Sequence, residues 1–155
     1  MFRIIHFDHM HVHPDDFGKF NEKFQKFLGM DYFMTDDMTE RYGTQVAFEP
    51  YPVGLEAFKA TDPSKSISAK LADEAKGIFA VCYKVDSLEA AIKDMESIGY
   101  KMIEYYDNTP ILEALFDTKE DFGFYIELTE YPFESMRELA QMMAAQQQAP
   151  AAGQE

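Results

Sequence analysis

The sequence predicts an α+β domain made of two tandem βαβββ modules, and three observations carry that expectation. Strand-like and helix-like segments recur in the same order over residues 3–61 and 77–130. The helix of each module ends on a glycine suited to a C-terminal cap, Gly29 in the first and Gly99 in the second. Superposing those glycines brings His9 near Ala80, and the last strand of each module then carries a glutamate in an apolar run. These are Glu56 in GLEAF and Glu127 in YIELT, and the 47-residue interval from His9 to Glu56 equals that from Ala80 to Glu127. A shared element order with a shared interval is the signature of a duplication.

FRIIHFDHMHVH starts apolar and β-branched and then alternates, which reads as a strand with His9, His11 and His13 on one face and His6 on the other. Pro14-Asp15-Asp16 opens a helix, and Phe17, Phe20, Phe24, Phe27 and Leu28 recur at helical spacing as a core-facing stripe. MDYFMT, TQVAFEP and GLEAFKA read as strands, broken by Asp36-Asp37 and by the Pro50, Pro52, Gly54 cluster. Residues 62–76 read as a polar linker with a helical turn in ISAKLADEA. The pattern then restarts: GIFAVCYKVD is strand, SLEAAIKDMESI is helix behind the N-cap candidates Asp86 and Ser87, and YKMIEYY, ILEALFD and FGFYIELTEY are strands. Asp107-Asn108 with Pro110, and Asp121 with Gly123, mark the turns between them. The duplicated domain closes at residue 131. FESMRELAQMMAA predicts a helix over 132–145 that covers either the domain or a partner subunit, and 146–155 has nothing to bury and is expected to fray.

Composition excludes several classes. A formal net charge of −14 repels phosphate backbones and anionic bilayers, so neither nucleic acid nor membrane is an expected partner. No apolar run reaches the roughly 18 residues that a bilayer requires. The single cysteine, Cys82, permits no internal disulfide, and patterned strand begins at the N-terminus in place of a leader. A cytoplasmic location is the expectation.

A duplicated βαβββ module with HxH on its first strand and Glu on its last resembles the vicinal oxygen chelate superfamily, which includes glyoxalase I, extradiol dioxygenases and bleomycin resistance proteins. The segments that carry the resemblance are FDHMHVHPDDFGKFNEKFQKFLGM, VCYKVDSLEAAIKDMESIGYKM and FYIELTEYP; the ending IELTEYP is most similar to the methylmalonyl-CoA epimerase branch. The resemblance covers about residues 3–131. It implies two modules paired edge to edge into a curved mixed sheet that encloses a cavity, and it implies a homodimer. Metal ligands at the first and last strand of each module would fall on His9, Glu56, Ala80 and Glu127, and alanine cannot bind a metal.

His11 is the candidate replacement. It lies two residues from His9 on the same strand face, about 7 Å along. His9, His11, Glu56 and Glu127 would then form an N₂O₂ site for a divalent ion, with Zn, Mn, Co, Ni and Fe all compatible. Each residue has a plainer role beside this one. His9 would serve equally as a hydrogen-bonded cavity residue, His11 as a substrate contact, and Glu56 as the partner of Lys59. His13, at the strand end, is expected in solvent, and Cys82 reads as a small buried hydrophobe. Glu127 sits in an apolar run where an unpaired carboxylate is expensive to bury, which favours function.

The implied activity is that of a metal-dependent isomerase or lyase that removes a proton beside a chelated carbonyl or thioester. Glu127 or Glu56 would act as base, with Glu40 a further candidate, and an acyl-CoA or 2-oxo-aldehyde adduct would be the substrate. Two other readings stay open. One is a metal-free binder of small aromatic or hydrophobic molecules; the other is an extradiol-type dioxygenase.

Overall fold

The computed structural model describes residues 1–28, 34–49, 54–74 and 76–148. Eight strands form one curled mixed sheet in the order β2-β3-β4-β1-β5-β8-β7-β6. The first module supplies β1 (Ile4–His13), α1 (Phe17–Leu28), β2 (Met34–Asp37), α2 (Thr39–Tyr42), β3 (Thr44–Glu49) and β4 (Leu55–Ala60). A helix between the modules, α3 (Ser66–Asp73), leads into the second. That module supplies β5 (Gly77–Val85), α4 (Leu88–Ser97), β6 (Met102–Asn108), β7 (Ile111–Phe116), α5 (Lys119–Phe122) and β8 (Tyr125–Glu130), and α6 (Met136–Gln148) ends the described chain.

The duplication is written into the register. In the first module β1 runs parallel to β4 with His11 opposite Glu56; in the second β5 runs parallel to β8 with Cys82 opposite Glu127. The modules meet where β1 and β5 pair antiparallel, His9 opposite Cys82, Met10 opposite Val81 and His11 opposite Ala80. The Met10–Val81 pair therefore lies at the centre of a pseudo-twofold that relates His9 to Ala80, His11 to Cys82 and Glu56 to Glu127.

Two apolar clusters hold the sheet. One gathers Val46, Phe58, Phe79, Leu115 and Tyr125 with Ile67 and Leu71 of α3. The segment read as a linker thus contributes two fully buried side chains, because its short helix packs its apolar face on the sheet. The other cluster packs Leu88, Ala91 and Met95 of α4 against Phe116 and Leu128. The α1 stripe behaves differently: Phe17, Phe20 and Phe24 are only half-buried, and Phe20 and Phe24 stack on each other at 4.2 Å.

Boundaries shift at two places. Asp36 and Asp37, expected as a break, end the exposed edge strand β2, and Asp37 then accepts a hydrogen bond from Thr39 N at the start of α2. The C-terminal helix runs to Gln148, three residues beyond the predicted end, while residues 149–155 of the predicted tail lie outside the described residues. The Gly29 cap, residues 30–33 of the MDYFMT strand, and Pro50 and Pro52 lie outside them as well. No helix among the described residues is long and apolar enough to cross a membrane.

Candidate functional site

Alternation along β1 turns His9, His11 and His13 to one face, and all three are buried. The strand is irregular between Phe7 and His9, where its pairing with β5 shifts register. A bulge of this kind re-aims the side chains beside it. Here it brings the Asp8 carboxylate to the ring of its own neighbour, with Oδ1 2.7 Å from His9 Nδ1. Gly54 closes over the bulge with a positive φ of 63°; its carbonyl accepts from Met10 N, and a Cβ there would stand 2.8 Å from the Asp8 carbonyl oxygen. The Tyr131 hydroxyl donates to the second Asp8 oxygen. Burial raises the Asp8 pKa, but the hydrogen bond and charge of His9, with the Tyr131 bond, outweigh it and hold the carboxylate below its ordinary range.

Fixing Nδ1 of His9 leaves Nε2 pointing into the cavity. That atom is buried without a hydrogen-bond partner, and so are both ring nitrogens of His11. Carboxylates surround them. Glu56 Oε2 is 3.7 Å from His9 Nε2, Glu56 Oε1 is 3.9 Å from His11 Nδ1, and Glu127 Oε1 is 3.3 Å from His11 Nε2. Burial pushes the His11 pKa down to about 3, with the Asp8 charge opposing, so its imidazole is neutral and its own two carboxylate contacts are not ion pairs.

The carboxylates are displaced the other way. Burial lifts Glu127 to about 7 against the pull of His9 and a hydrogen bond from Cys82; burial and then the charge of Glu127 lift Glu113 to about 8. Burial, with Glu113 and Glu127 adding, takes Glu56 well above its usual range. Unpartnered ring nitrogens facing reluctant carboxylates describe a donor set that lacks an acceptor. Ligand atoms of His9, Cys82, Glu113 and Glu127 lie within 4.8 Å of one another, as do those of His9, His11 and Glu56. These residues fit a divalent cation, since imidazole nitrogen with carboxylate oxygen is the donor chemistry that such ions take.

The group opens into a cavity of about 310 Å³. Its walls include Met38, Phe48, Phe58, Tyr106 and Ile111, and Met136 and Leu139 of α6 close one side. The C-terminal helix therefore covers its own domain. Lys84 anchors the segment before it, donating to the carbonyls of Phe133 and Glu134 with its ammonium 4.1 Å above the Tyr131 ring.

The structure thus brings His9, His11, Glu56 and Glu127 together at one cavity. Ala80 adds only a methyl group to the buried core. Glu40 does not reach the site: it is exposed on α2 and absent from the cavity walls, because this four-residue helix turns its buried side, Tyr42, inward. The expectation of a solvated His13 is overturned, since Lys76 folds over it with Nζ 2.7 Å from Nε2. His6 sits off the site, 3.6 Å from Asp8. Lys59 is three residues from Glu56 on β4, which sends the two side chains to opposite faces; the lysine is exposed, and the Glu56 carboxylate is left to the imidazoles. Sequence reasoning missed Glu113, Asp8 and Tyr131. The only advance signal for Glu113 was a carboxylate inside the apolar run ILEALF.

No protein-family model matches the chain, and no curated protein matches it. Solved structures do. A methylmalonyl-CoA epimerase in complex with methylmalonyl-CoA and NH4+ aligns with a TM-score of 0.71 at 15% identity, over 86% of this chain and 99% of that one. A Streptomyces coelicolor methylmalonyl-CoA epimerase variant in complex with 2-nitronate-propionyl-CoA aligns at 0.70 and 16%, over 84% and 100%. The methylmalonyl-CoA epimerase from Mycobacterium tuberculosis aligns at 0.68 and 21%, over 89% and 93%. The chain has the vicinal oxygen chelate fold.

Proposed function

We propose that the protein is a metal-dependent isomerase of the epimerase type, acting on a small acyl thioester. The observation that carries this reading is the buried, unpartnered Nε2 of His9, aimed by Asp8 at a group of carboxylates in a cavity whose fold is that of acyl-CoA epimerases. His9 and Glu127 would hold the ion, with His11 and Glu56 within reach as further donors. A divalent ion at such a site supplies electrophilic stabilisation of charge that develops on a carbonyl oxygen.

The rest of the chemistry falls to the chain's own groups. A base that works near neutral pH needs a pKa close to neutrality, and burial moves the glutamates of this site in that direction. Glu56 and Glu127 are the candidates to take and return the α-proton. Phe48, Phe58 and Tyr106 exclude water around them, and Met136 and Leu139 shield the opening. Neighbours solved with methylmalonyl-CoA and 2-nitronate-propionyl-CoA support an acyl-CoA as the substrate class. A homodimer belongs to the same proposal, with the half-exposed Ile4, Ile5, Phe7 and Ile78 of the central strands as the surface to be covered. So does a cytoplasmic address, which suits the one buried free thiol.

The test uses full-length protein purified without a polyhistidine tag. Near-stoichiometric divalent metal, together with exchange of substrate α-protons for deuterium in a panel of acyl-CoA thioesters, is the expected result. Less than about a tenth of an ion per chain, with no thermal shift on adding Mn, Co, Ni or Zn, would overturn it. The methyl group of Ala80 at the pseudo-twofold mate of His9 favours a second reading, a metal-free binder of apolar molecules, and the same measurement decides for it.

A further inference from the structure

One donor is missing from the site as the duplication lays it out, because the mate of His9 is Ala80. We propose that Glu113 on β7 supplies the missing ligand, so that His9, Glu113 and Glu127 hold the ion from three strands and both modules. The inference rests on the metal-dependent reading above and names the residue that makes that reading possible in a chain with alanine at this position.

Register places the side chain. Leu115 is paired with Glu127 and Glu113 with Thr129 across β7 and β8. Residues two apart on a strand share a face, so Glu113 lies on the face of Glu127, one step along. The side chains converge: ligand atoms of His9, Glu113 and Glu127 lie within 4.8 Å of one another, a few tenths of an ångström above the roughly 4.4 Å that two bonds of about 2.2 Å can span, which a small rotamer adjustment closes. Among the described residues no hydrogen bond or ion pair engages the Glu113 carboxylate. The Glu113 side chain is half-buried on the cavity wall, so its carboxylate is open to a cation that enters there.

The pseudo-twofold supplies an independent argument. Val46 pairs with Phe58 in the first module as Glu113 pairs with Thr129 in the second, and Phe58 is the mate of Thr129. The mate of Glu113 is therefore Val46, an ordinary buried apolar residue. In the second module the first strand has lost a donor and the third has gained one. The two exchanges together keep the donor count and move the donor by two strands. Cys82, the remaining member of the group, donates a hydrogen bond to Glu127.

The experiment measures affinity of the full-length apo protein for Mn(II), Co(II) and Zn(II) by competition with a chromogenic chelator. Wild type is expected to bind, Glu113→Gln to bind at least about 30-fold more weakly, and Glu113→Asp to fall between them. The folded state of each variant is read by circular dichroism. Should Glu113→Gln fail to fold, the cobalt absorption spectrum of Glu113→Asp decides: a changed ligand-field band supports ligation and an unchanged one overturns it. Wild-type binding with Glu113→Gln within about threefold of it overturns this inference and leaves the proposed function standing. Absence of wild-type binding overturns both.

Discussion

The two modules share a topology and divide the work unequally. The second is the better packed: α4 buries Leu88, Ala91 and Met95, Ser87 caps it through Ala90 N, and Glu130 accepts from Leu88 N. In the first, the described side chains of α1 are at most half-buried, and Asp16 caps that helix through Lys19 N. The first module supplies imidazoles on β1 and one carboxylate, Glu56; the second answers with two carboxylates and a thiol. A duplicated half can specialise in this way because a site on the shared axis needs donors from both halves and no longer needs the halves to match. The helix with the fully buried face lies in one module, and the strand that aims the reactive nitrogens lies in the other.

The sharpest way to break this division is to remove one donor from each side. His9→Ala and Glu127→Gln should each lower metal affinity by more than about 100-fold, since ligand loss exceeds the 10–100-fold typical of outer partners. Isothermal titration of apo protein measures it. A large loss in one variant and none in the other would mean that the ion is held by a single module.

Packing gives the next largest contrast. Leu88→Ala should cost about 2–5 kcal/mol, the usual range for a core leucine, whereas Phe20→Ala should cost under about 1.5 kcal/mol because its ring is only half-buried. Urea unfolding of the two variants reads the difference. Equal costs would show that α1 is packed as tightly in solution as α4.

Proton linkage sharpens the electrostatic half of the comparison. Glu127 and Glu113 are raised from 4.5 to about 7 and about 8, so the stability they confer when protonated is complete below pH 4.5 and lost as pH rises through those values. His11, lowered from 6.5 to about 3, acts oppositely but only below pH 6.5; Asp8, also lowered, acts only in acid. From pH 6.5 to 8 the carboxylates prevail. Apo protein should lose at least about 5 °C in Tm across that window, and a saturating divalent ion, which binds the deprotonated donors, should flatten the slope. A Tm that rises with pH in the apo form would contradict the burial of these glutamates.

What could be read in advance follows the same line. The imidazole row was legible because alternation alone puts His9, His11 and His13 on one face, and Glu127 was legible because a carboxylate inside YIELT has to be accounted for. Glu113 was not, since a strand such as ILEALF shows its buried face only once its register with β8 is known. Asp8 was hidden by the bulge, which breaks the alternation that would have sent it away from His9. The short helices α2 and α5 are a single turn each and have no periodicity to detect, so nothing in the sequence around Glu40 shows that it faces solvent.

The smallest effect expected tests how far the aim of His9 depends on the far end of the chain. Tyr131 follows β8 in the second module and donates to Asp8, which in turn holds Nδ1 of His9 in the first. Partners of this kind orient a ligating imidazole and fix its tautomer. Asp8→Asn should weaken metal binding by about 10–100-fold, because it replaces a charged acceptor with a neutral amide. Tyr131→Phe keeps the ring beneath Lys84 and removes one donor, so it should cost about 1 kcal/mol of stability and only a few-fold in metal affinity. If Tyr131→Phe weakened metal binding as much as Asp8→Asn, the hydroxyl would be setting the Asp8 geometry outright, and the second module would control the first module's principal ligand.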